Sequence, residues 1–303
     1  MFSKLSIIFM FSSVSRFTAF LVVVTITSSL FSCKKEKEEV SVSQHEVFKI
    51  LSYNVYEGFR GDQQNIANFK AWIDTVKPDV IALQEMKYFT KASLKSFALE
   101  MGYPHTLMFH ESGLPVALVS RYPITDVKQV PSDLHLIQAK VLDYNLMVVH
   151  LSPLTYEKRR QEIELVLERC RDLAKDEKTL IMGDFNNMSP QDATFYNNSE
   201  KMALVRLSEA NNPEVKILNN GNIDYSTIQA LMDNGFYDSW KMFRNSYEKS
   251  APTKLRSHNN YTRIDYIWLN EPLLNDYLKS YFIKDSFTHY LSDHYPMVLL
   301  LKK

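Results

Sequence analysis

Polar side chains that could perform acid–base or metal chemistry recur where apolar runs of the sequence end. In chain order they are Asn54, Glu85, His150, Asp184 with Asn186, Asp265, and the pair Asp293 and His294. One such residue alone is commonly a turn former or a helix cap. Six strand ends that each carry a carboxylate, amide or imidazole instead favour a shared site, because sheets often gather their chemistry at one edge.

The chemistry open to these groups is narrow. Glu85, an amide and a further carboxylate would give a cation an all-oxygen shell, which suits Mg²⁺ or Mn²⁺ and does not suit zinc. The whole chain has two cysteines, so a thiolate metal site is excluded. His150 and His294 could donate and accept protons near neutral pH. A cation, imidazoles and amides together are what the attack of water on a phosphoester requires.

Six short motifs in this order resemble the signature of the endonuclease/exonuclease/phosphatase superfamily, which includes deoxyribonuclease-like and sphingomyelinase-like phosphoesterases. The motifs are LSYNV at 51–55, LQE at 83–85, VHL at 149–151, GDFN at 183–186, RIDYI at 263–267 and SDHYP at 292–296. One four-residue motif would be a weak signal, but six in the same order are specific. The resemblance covers about residues 47–302. It implies an α/β fold, a four-layer sandwich of two mixed β-sheets packed face to face with helices outside.

The resemblance also implies a metal site. Glu85 corresponds to the metal-binding glutamate of the superfamily, Asn54 lies beside it, and Asp293 is a further acidic group near the metal. The implied cofactor is Mg²⁺, with Mn²⁺ as the second choice.

The implied catalytic residues are His150, Asp184, Asn186, Asp265 and His294. His294 matches the catalytic histidine, and Asp265 matches the aspartate that orients a histidine. Asp184 would position or activate water, or contact the metal, and Asn186 would hold a phosphate oxygen. His150 matches a second histidine that occurs in the deoxyribonuclease-like and sphingomyelinase-like branches. Which histidine acts as base and which as acid stays open.

The first 46 residues differ in composition from the rest of the chain. Residues 1–32 contain no acid and end in an uncharged, mostly apolar run from Phe17 to Ser32, which is shorter than the ~20 residues needed to cross a bilayer. We interpret residues 1–32 as a lipoprotein signal peptide, because the run ends at Cys33 in a sequence that resembles a bacterial lipobox. The alternative is an uncleaved signal anchor.

Residues 33–46 read as a charged, solvated tether, and residues 47–303 as one endonuclease/exonuclease/phosphatase domain. The expected location is the cell envelope of a bacterium, periplasmic or surface-facing, with membrane attachment through the lipid alone. We expect a monomer.

Alternating strand and helix patterns run through the domain without an obvious linker. The predicted strands cover residues 47–55, 80–84, 114–120, about 134–138, 146–151, 179–182, 264–269 and 296–301. The predicted helices cover residues 65–76, 94–101, 156–173, 191–196 and 227–234. Arg159 and Arg160 begin a helix, where bases normally face solvent.

Glycine is scarce, with 7 residues in the chain, so a glycine loop is not expected to hold the phosphate. Left-handed turns are instead expected at five asparagine pairs. The pairs are at residues 186–187, 197–198, 211–212, 219–220 and 259–260.

Composition excludes a disordered tail, a fibrous repeat and a multi-span membrane protein, since 45% of residues are hydrophobic and 23% charged. The formal net charge of +0 gives no overall attraction to nucleic acid, although a local basic groove can exist in a balanced chain. The leading hypothesis is a metal-dependent phosphoesterase, with nucleic acid, a lipid head group or a small phosphodiester as substrate. The alternatives are a secreted deoxyribonuclease-like endonuclease and a non-catalytic lipoprotein that binds a ligand with the same fold.

Overall fold

The computed structural model of the protein describes residues 46–130 and 134–303. The strands are β1 (Val47–Asn54), β2 (Val80–Gln84), β3 (His105–Leu107), β4 (Ala117–Ser120), β5 (Ile124–Lys128), β6 (Leu136–Val141), β7 (Tyr144–His150), β8 (Lys178–Asp184), β9 (Leu218–Asn219), β10 (Asn222–Ile223), β11 (Phe236–Asp238), β12 (Asp265–Asn270), β13 (Tyr277–Phe282) and β14 (Met297–Lys302). The helices are α1 (Tyr56–Phe59), α2 (Gln63–Val76), α3 (Lys91–Glu100), α4 (Tyr156–Arg171), α5 (Ala193–Tyr196), α6 (Ser199–Asn211), α7 (Ser226–Asp233) and α8 (Thr288–Leu291). The signal peptide, Cys33 and nearly all of the tether lie outside the described residues.

In this part of the chain, two six-stranded sheets carry the fold. The first has the order β13-β14-β1-β2-β4-β3 and the second the order β11-β12-β8-β7-β6-β5. Each sheet contains one parallel pair among antiparallel ones: β1 with β2, and β7 with β8. The mixed sheets predicted from the sequence are therefore confirmed.

Alternation along the strands explains why the sheets stack. In β2, Val80 and Ala82 point into the core between the two sheets. Ile81 and Leu83 point to the opposite face, where they pack against α2 and α3. The second sheet also packs one face against the core between the sheets, and its outer face is covered by α4 and α7. The order of layers is helix, sheet, sheet, helix, which confirms the predicted four-layer sandwich.

Most predicted elements occur within a few residues of their expected bounds. β4 begins three residues later than predicted, and the helix predicted at 191–196 is a 3₁₀ turn, Pro190–Asp192, followed by α5. The sequence did not predict α6. Its buried residues are Lys201 and Val205, so it lacks the wide apolar stripe that marks a helix in a sequence. No helix among the described residues is long and apolar enough to cross a bilayer.

The expectation of left-handed turns at the asparagine pairs is correct at two pairs. Asn186 and Asn220 have positive φ. It is wrong at the other three, as Asn198 shows: its side chain caps α6 by accepting a hydrogen bond from the Lys201 backbone N–H. Asparagine is favoured both as a helix N-cap and in left-handed turns. A pair of asparagines in the sequence therefore does not show which of the two structures forms.

Lys201 leads to a prediction about pH. Its ammonium donates to the Tyr261 carbonyl at 2.6 Å and to the Asn260 amide oxygen, and burial lowers its pKa to about 8. The unfolded chain therefore holds this proton to a higher pH than the folded chain does. Relative to Lys201→Met, the free energy of unfolding of the wild type should rise by about 2 kcal/mol between about pH 8 and pH 10. Urea denaturation of both proteins at both pH values measures this, and a pH-independent difference would contradict it.

Candidate active site

The pairing register of the second sheet places three of the predicted site residues in one row. His150 at the end of β7 is opposite Asp184 at the end of β8, in the parallel pair. Asp265 at the start of β12 is opposite Asp184 on its other side. All three side chains are buried. The ends of these three strands therefore bring two carboxylates and an imidazole to one edge of the sheet.

Asn54 connects this row to the first sheet. Its amide nitrogen donates to Glu85 Oε1 and to Asp184 Oδ2, each at 3.0 Å, and its amide oxygen accepts from the Tyr56 N–H at 3.0 Å. The side chain is fully buried. Asn54 thus holds the carboxylates of both sheets at a fixed separation.

His294 is held by Asp265. Its Nδ1 lies 2.8 Å from Asp265 Oδ2, and its Nε2 lies 3.8 Å from Asp184 Oδ2. Burial alone would lower the pKa of His294, but the Asp265 and Asp184 carboxylates outweigh it and hold that pKa well above its usual range. The imidazole therefore favours its protonated form, with Nε2 directed towards Asp184. We call Glu85, His150, Asp184, Asp265 and His294 the cluster.

Asp184 is the carboxylate that both histidines share. Burial raises its pKa to about 6, and the neighbouring Asp265 adds to this effect. His150 Nε2 lies 3.7 Å from Asp184 Oδ2 and 3.8 Å from Glu85 Oε1. A carboxylate that titrates near neutrality beside two imidazoles is suited to proton exchange.

Glu85 is the partly open member of the cluster. Its side chain is 15% exposed, and its backbone has φ +60°, a strained value for a residue with a side chain. Burial would raise its pKa, but His150 and the Asn54 amide lower it below its usual value. The carboxylate is therefore ionised. It is also partly open to solvent, so a hard cation could reach it.

Within residues 46–130 and 134–303, two groups of side chains have the geometry to hold a cation, and both contain Asp184. The first is Glu85, His150 and Asp184, and the second is Asp184, Asp265 and His294, with the candidate ligand atoms of each group within 4.8 Å of one another. The second group already uses its imidazole in a hydrogen bond to Asp265. The first has a partly exposed carboxylate, that of Glu85, and fits a metal better.

The remaining two predicted site residues, Asn186 and Asp293, lie at the margin of this cluster. The Asn186 amide donates to the Leu151 carbonyl at 3.0 Å, and its backbone N–H donates to Asp184 Oδ1 at 2.8 Å. Asp293 lies outside both groups of possible ligands and faces Arg256, with Oδ2 at 3.6 Å from Nη1. The phosphate contact for Asn186 and the metal contact for Asp293 and Asn54 stay predictions.

Sequence reasoning missed two serines that fix the site. Ser292 Oγ donates to the Asn54 carbonyl at 2.7 Å and accepts from the His294 N–H at 3.1 Å. Ser250 Oγ accepts from the backbone of Ile264 and Asp265. Ser292 lies within the SDHYP motif and could have been noticed. Ser250 stands in no motif and gave no signal.

The sequence expectation for Arg159 is wrong. Its side chain is 1% exposed and donates to the Ser152 carbonyl at 3.1 Å and to the Lys216 carbonyl at 3.0 Å. Burial lowers its pKa to about 10. The guanidinium ties the start of α4 to two connecting segments, and the usual position of a base at a helix start did not predict this.

Gly183 allows β7 and β8 to approach closely beside the site. Its φ is +141°, and a Cβ there would lie 1.9 Å from the Val149 carbonyl oxygen. Gly183→Ala should therefore separate the strands that carry His150 and Asp184, lowering the free energy of unfolding by about 2–4 kcal/mol. Chemical denaturation measures this loss.

Gly235→Ala is the matched control for Gly183→Ala. Gly235 has φ +78°, and nothing lies within 4 Å of the added Cβ, so it isolates the backbone strain, about 1 kcal/mol. Equal losses in the two variants would show that close packing at Gly183 is unimportant.

Comparison with known proteins identifies the family of the chain. A family model described as the endonuclease/exonuclease/phosphatase family matches residues 51–294. No curated protein matches the chain.

Among solved structures, an AP endonuclease from Archaeoglobus fulgidus superposes with a TM-score of 0.64 at 19% identity, covering 84% of this chain and 99% of that one. A 3′ phosphatase from Neisseria bound to product DNA hairpin gives 0.65 at 20% identity, covering 84% and 100%. A 3′-5′ exonuclease from Neisseria meningitidis gives 0.63 at 21% identity, with the same coverage. These likenesses show the fold. With the family model spanning most of the chain, the protein belongs to the endonuclease/exonuclease/phosphatase family.

Proposed function

We propose that the protein is a metal-dependent hydrolase of phosphoester bonds, with phosphodiesters as the favoured class. The observation that carries the proposal is the convergence of Glu85, His150 and the His294–Asp265 pair on the single carboxylate of Asp184. A purely structural network would have no need of two imidazoles and a partly exposed carboxylate at one sheet edge.

Glu85 and Asp184 are the residues that would hold the cation, with Asn54 fixing the distance between them. Mg²⁺ is the proposed ion, and Mn²⁺ the second choice, because the available ligands are mainly carboxylate oxygens. When bound, the ion would supply polarisation of the phosphoryl group. Asp293, in the segment next to His294, remains the proposed further acidic group.

The histidines would donate and accept the protons of the reaction. Asp265 fixes the His294 ring through Nδ1, so that Nε2–H is the donor that faces the cluster. A protonated Nε2 stabilises negative charge that develops on a phosphoryl oxygen or on the leaving group. His150 and Asp184 face the same space and would orient or deprotonate water, while Asn186 would hold a phosphate oxygen.

A substrate panel tests the proposal. The purified protein is assayed with Mg²⁺ on bis(p-nitrophenyl) phosphate, double-stranded DNA, RNA, sphingomyelin and inositol phosphates. We expect hydrolysis of at least one phosphodiester and its loss in Glu85→Gln. Inactivity on the whole panel with both Mg²⁺ and Mn²⁺ would support the non-catalytic, ligand-binding alternative.

Nucleic acid is the second candidate substrate. It is favoured by the solved structures above, which are an AP endonuclease, a 3′-5′ exonuclease and a 3′ phosphatase bound to product DNA hairpin. The panel separates a secreted deoxyribonuclease-like enzyme from a phosphodiesterase of small molecules or lipid head groups. A DNA enzyme should lose affinity steeply as salt rises, because each phosphate contact releases counterions.

We also propose that the protein acts as a monomer anchored in a bacterial cell envelope through a lipid on Cys33, after removal of residues 1–32. The apolar run and the lipobox-like ending support this. Labelled palmitate should enter the wild type and Cys170→Ala but not Cys33→Ala. Cys170 is a suitable control, since burial raises the pKa of its thiol to about 12. Equal labelling of all three proteins would contradict the anchor.

A further inference from the structure

A small cavity opens directly beside His294. Its volume is about 230 Å³, and His294 and Asp293 form one wall. The facing wall comes from the segment before β12 and includes Arg256, His258 and Asn260. Pockets for drug-sized ligands are roughly 300–1,000 Å³, so this cavity fits one small group attached to a larger substrate.

The segment that forms the facing wall is hydrogen-bonded to the segment that carries Asp293 and His294. Thr253 donates from its hydroxyl to the Ser292 carbonyl at 2.5 Å and from its backbone to the Asp293 carbonyl at 3.0 Å. At the other end of the segment, Lys201 of α6 holds Asn260 and Tyr261. The cavity therefore keeps a fixed position relative to His294.

The polar groups of the cavity favour an anion. The Arg256 guanidinium lies over the Tyr56 ring at 5.6 Å, and its side chain is 60% exposed. Arg256 Nη1 donates to the Tyr56 hydroxyl at 3.4 Å and lies 3.6 Å from Asp293 Oδ2, its ion-pair partner, which is longer than a hydrogen bond. Most of the five N–H donors of the guanidinium therefore have no acceptor among the described residues. His258 Nδ1 accepts from the Asn260 N–H at 3.2 Å, which leaves Nε2 to carry a proton in the neutral ring. Asp293 is the opposing negative charge in this cavity.

We propose that this cavity binds a second anionic group of the substrate, with Arg256 as the specificity-determining residue. The substrate class is then a phosphoester that carries another phosphate within a few bonds of the reacting one. This inference rests on the proposed function, because it takes the reacting phosphate to lie at His294. A long nucleic-acid strand would instead call for a row of cations along a groove.

A matched pair of soluble probes tests the proposal. Isothermal titration calorimetry in Mg²⁺ buffer compares propane-1,2-diol bisphosphate with propyl phosphate, while released phosphate is measured in the same samples. We expect the bisphosphate to bind about tenfold more tightly, since charge-assisted hydrogen bonds from an arginine are strong. Arg256→Gln should reduce that ratio to about one. Lys254→Gln, at an exposed lysine of the same segment, should keep it.

Vesicles distinguish a lipid source of the second phosphate from a free one. Binding to phosphatidylcholine vesicles that contain phosphatidylglycerol phosphate is compared with binding to vesicles that contain phosphatidylglycerol. A preference for the doubly phosphorylated lipid alone identifies a lipid head group, and a preference for the soluble bisphosphate identifies a free molecule, provided that Arg256→Gln removes it.

No preference in either pair, or a preference that survives Arg256→Gln, would overturn the cavity proposal. The two proposals fail separately. Binding with the predicted preference together with inactivity on the phosphodiester panel would overturn the hydrolase, and hydrolysis without the preference would overturn the anion cavity.

Discussion

His294→Ala is expected to lower kcat/KM for a phosphodiester by about 10³-fold, within the range that a positioned acid or base contributes. The Asp265 carboxylate at 2.8 Å holds the ring, and the raised pKa keeps the proton on it near neutrality. The substitution by alanine removes this donor. It also leaves the Asp184 and Asp265 carboxylates close together without the positive charge of the His294 imidazolium between them. Steady-state kinetics at saturating Mg²⁺ measures the loss.

His289→Ala is the matched control for this prediction. His289 lies five residues earlier, and its Nδ1 is 3.0 Å from the Tyr295 hydroxyl, away from the carboxylate cluster. We expect its kcat/KM to stay within about threefold of wild type. A His294→Ala protein that keeps its activity within about tenfold, while remaining folded, would remove His294 from the mechanism.

Arg263→Met should cost about 3–5 kcal/mol of folding free energy, the largest stability effect we expect from one substitution. Arg263 is fully buried and contacts Asp192 Oδ2 from Nε at 2.7 Å and Asp238 Oδ2 from Nη1 at 2.5 Å. Lys241 reaches the other oxygen of Asp192 at 2.6 Å. Methionine fills the volume but leaves Asp238 buried without its cation. Urea denaturation at neutral pH measures the cost.

Arg171→Met is the matched control for Arg263→Met, because it removes an ion pair at the surface. Its guanidinium lies 2.8 Å from Glu164, but both side chains are about half exposed, so its loss should cost about 0–1 kcal/mol. Similar losses for the two variants would show that burial does not make the Arg263 network important. Since Arg263 comes two residues before Asp265, we also expect Arg263→Met to reduce activity through displacement of that aspartate.

The strands and the sheet edge that their polar ends share could be predicted because both are encoded locally, whereas the four-layer arrangement followed only from the resemblance of the six motifs to the superfamily. Apolar runs mark β1, β2, β7, β8, β12 and β14, and the motifs place polar residues where these strands end. The two short parallel pairs then fix which ends meet, as with His150 opposite Asp184.

Contacts between distant residues could not be predicted. Arg263 stands in the RIDYI motif, but its partners Asp192 and Asp238 lie 71 and 25 residues away with no spacing that relates them. The position of the Asn54 amide between two carboxylates depends on how the two sheets stack. The buried role of Arg159 depends on carbonyl groups of two loops. A single sequence carries no local signal for any of these.

Cation-dependent hydrolysis centred on Asp184 is the central claim, and one assay tests it most directly. Hydrolysis of bis(p-nitrophenyl) phosphate is measured for the wild type and Asp184→Asn with Mg²⁺, after EDTA, and after Mg²⁺ is returned. We predict activity that EDTA removes and Mg²⁺ restores, and a loss of at least about 10²-fold in Asp184→Asn. Activity that survives both EDTA and Asp184→Asn would contradict the claim.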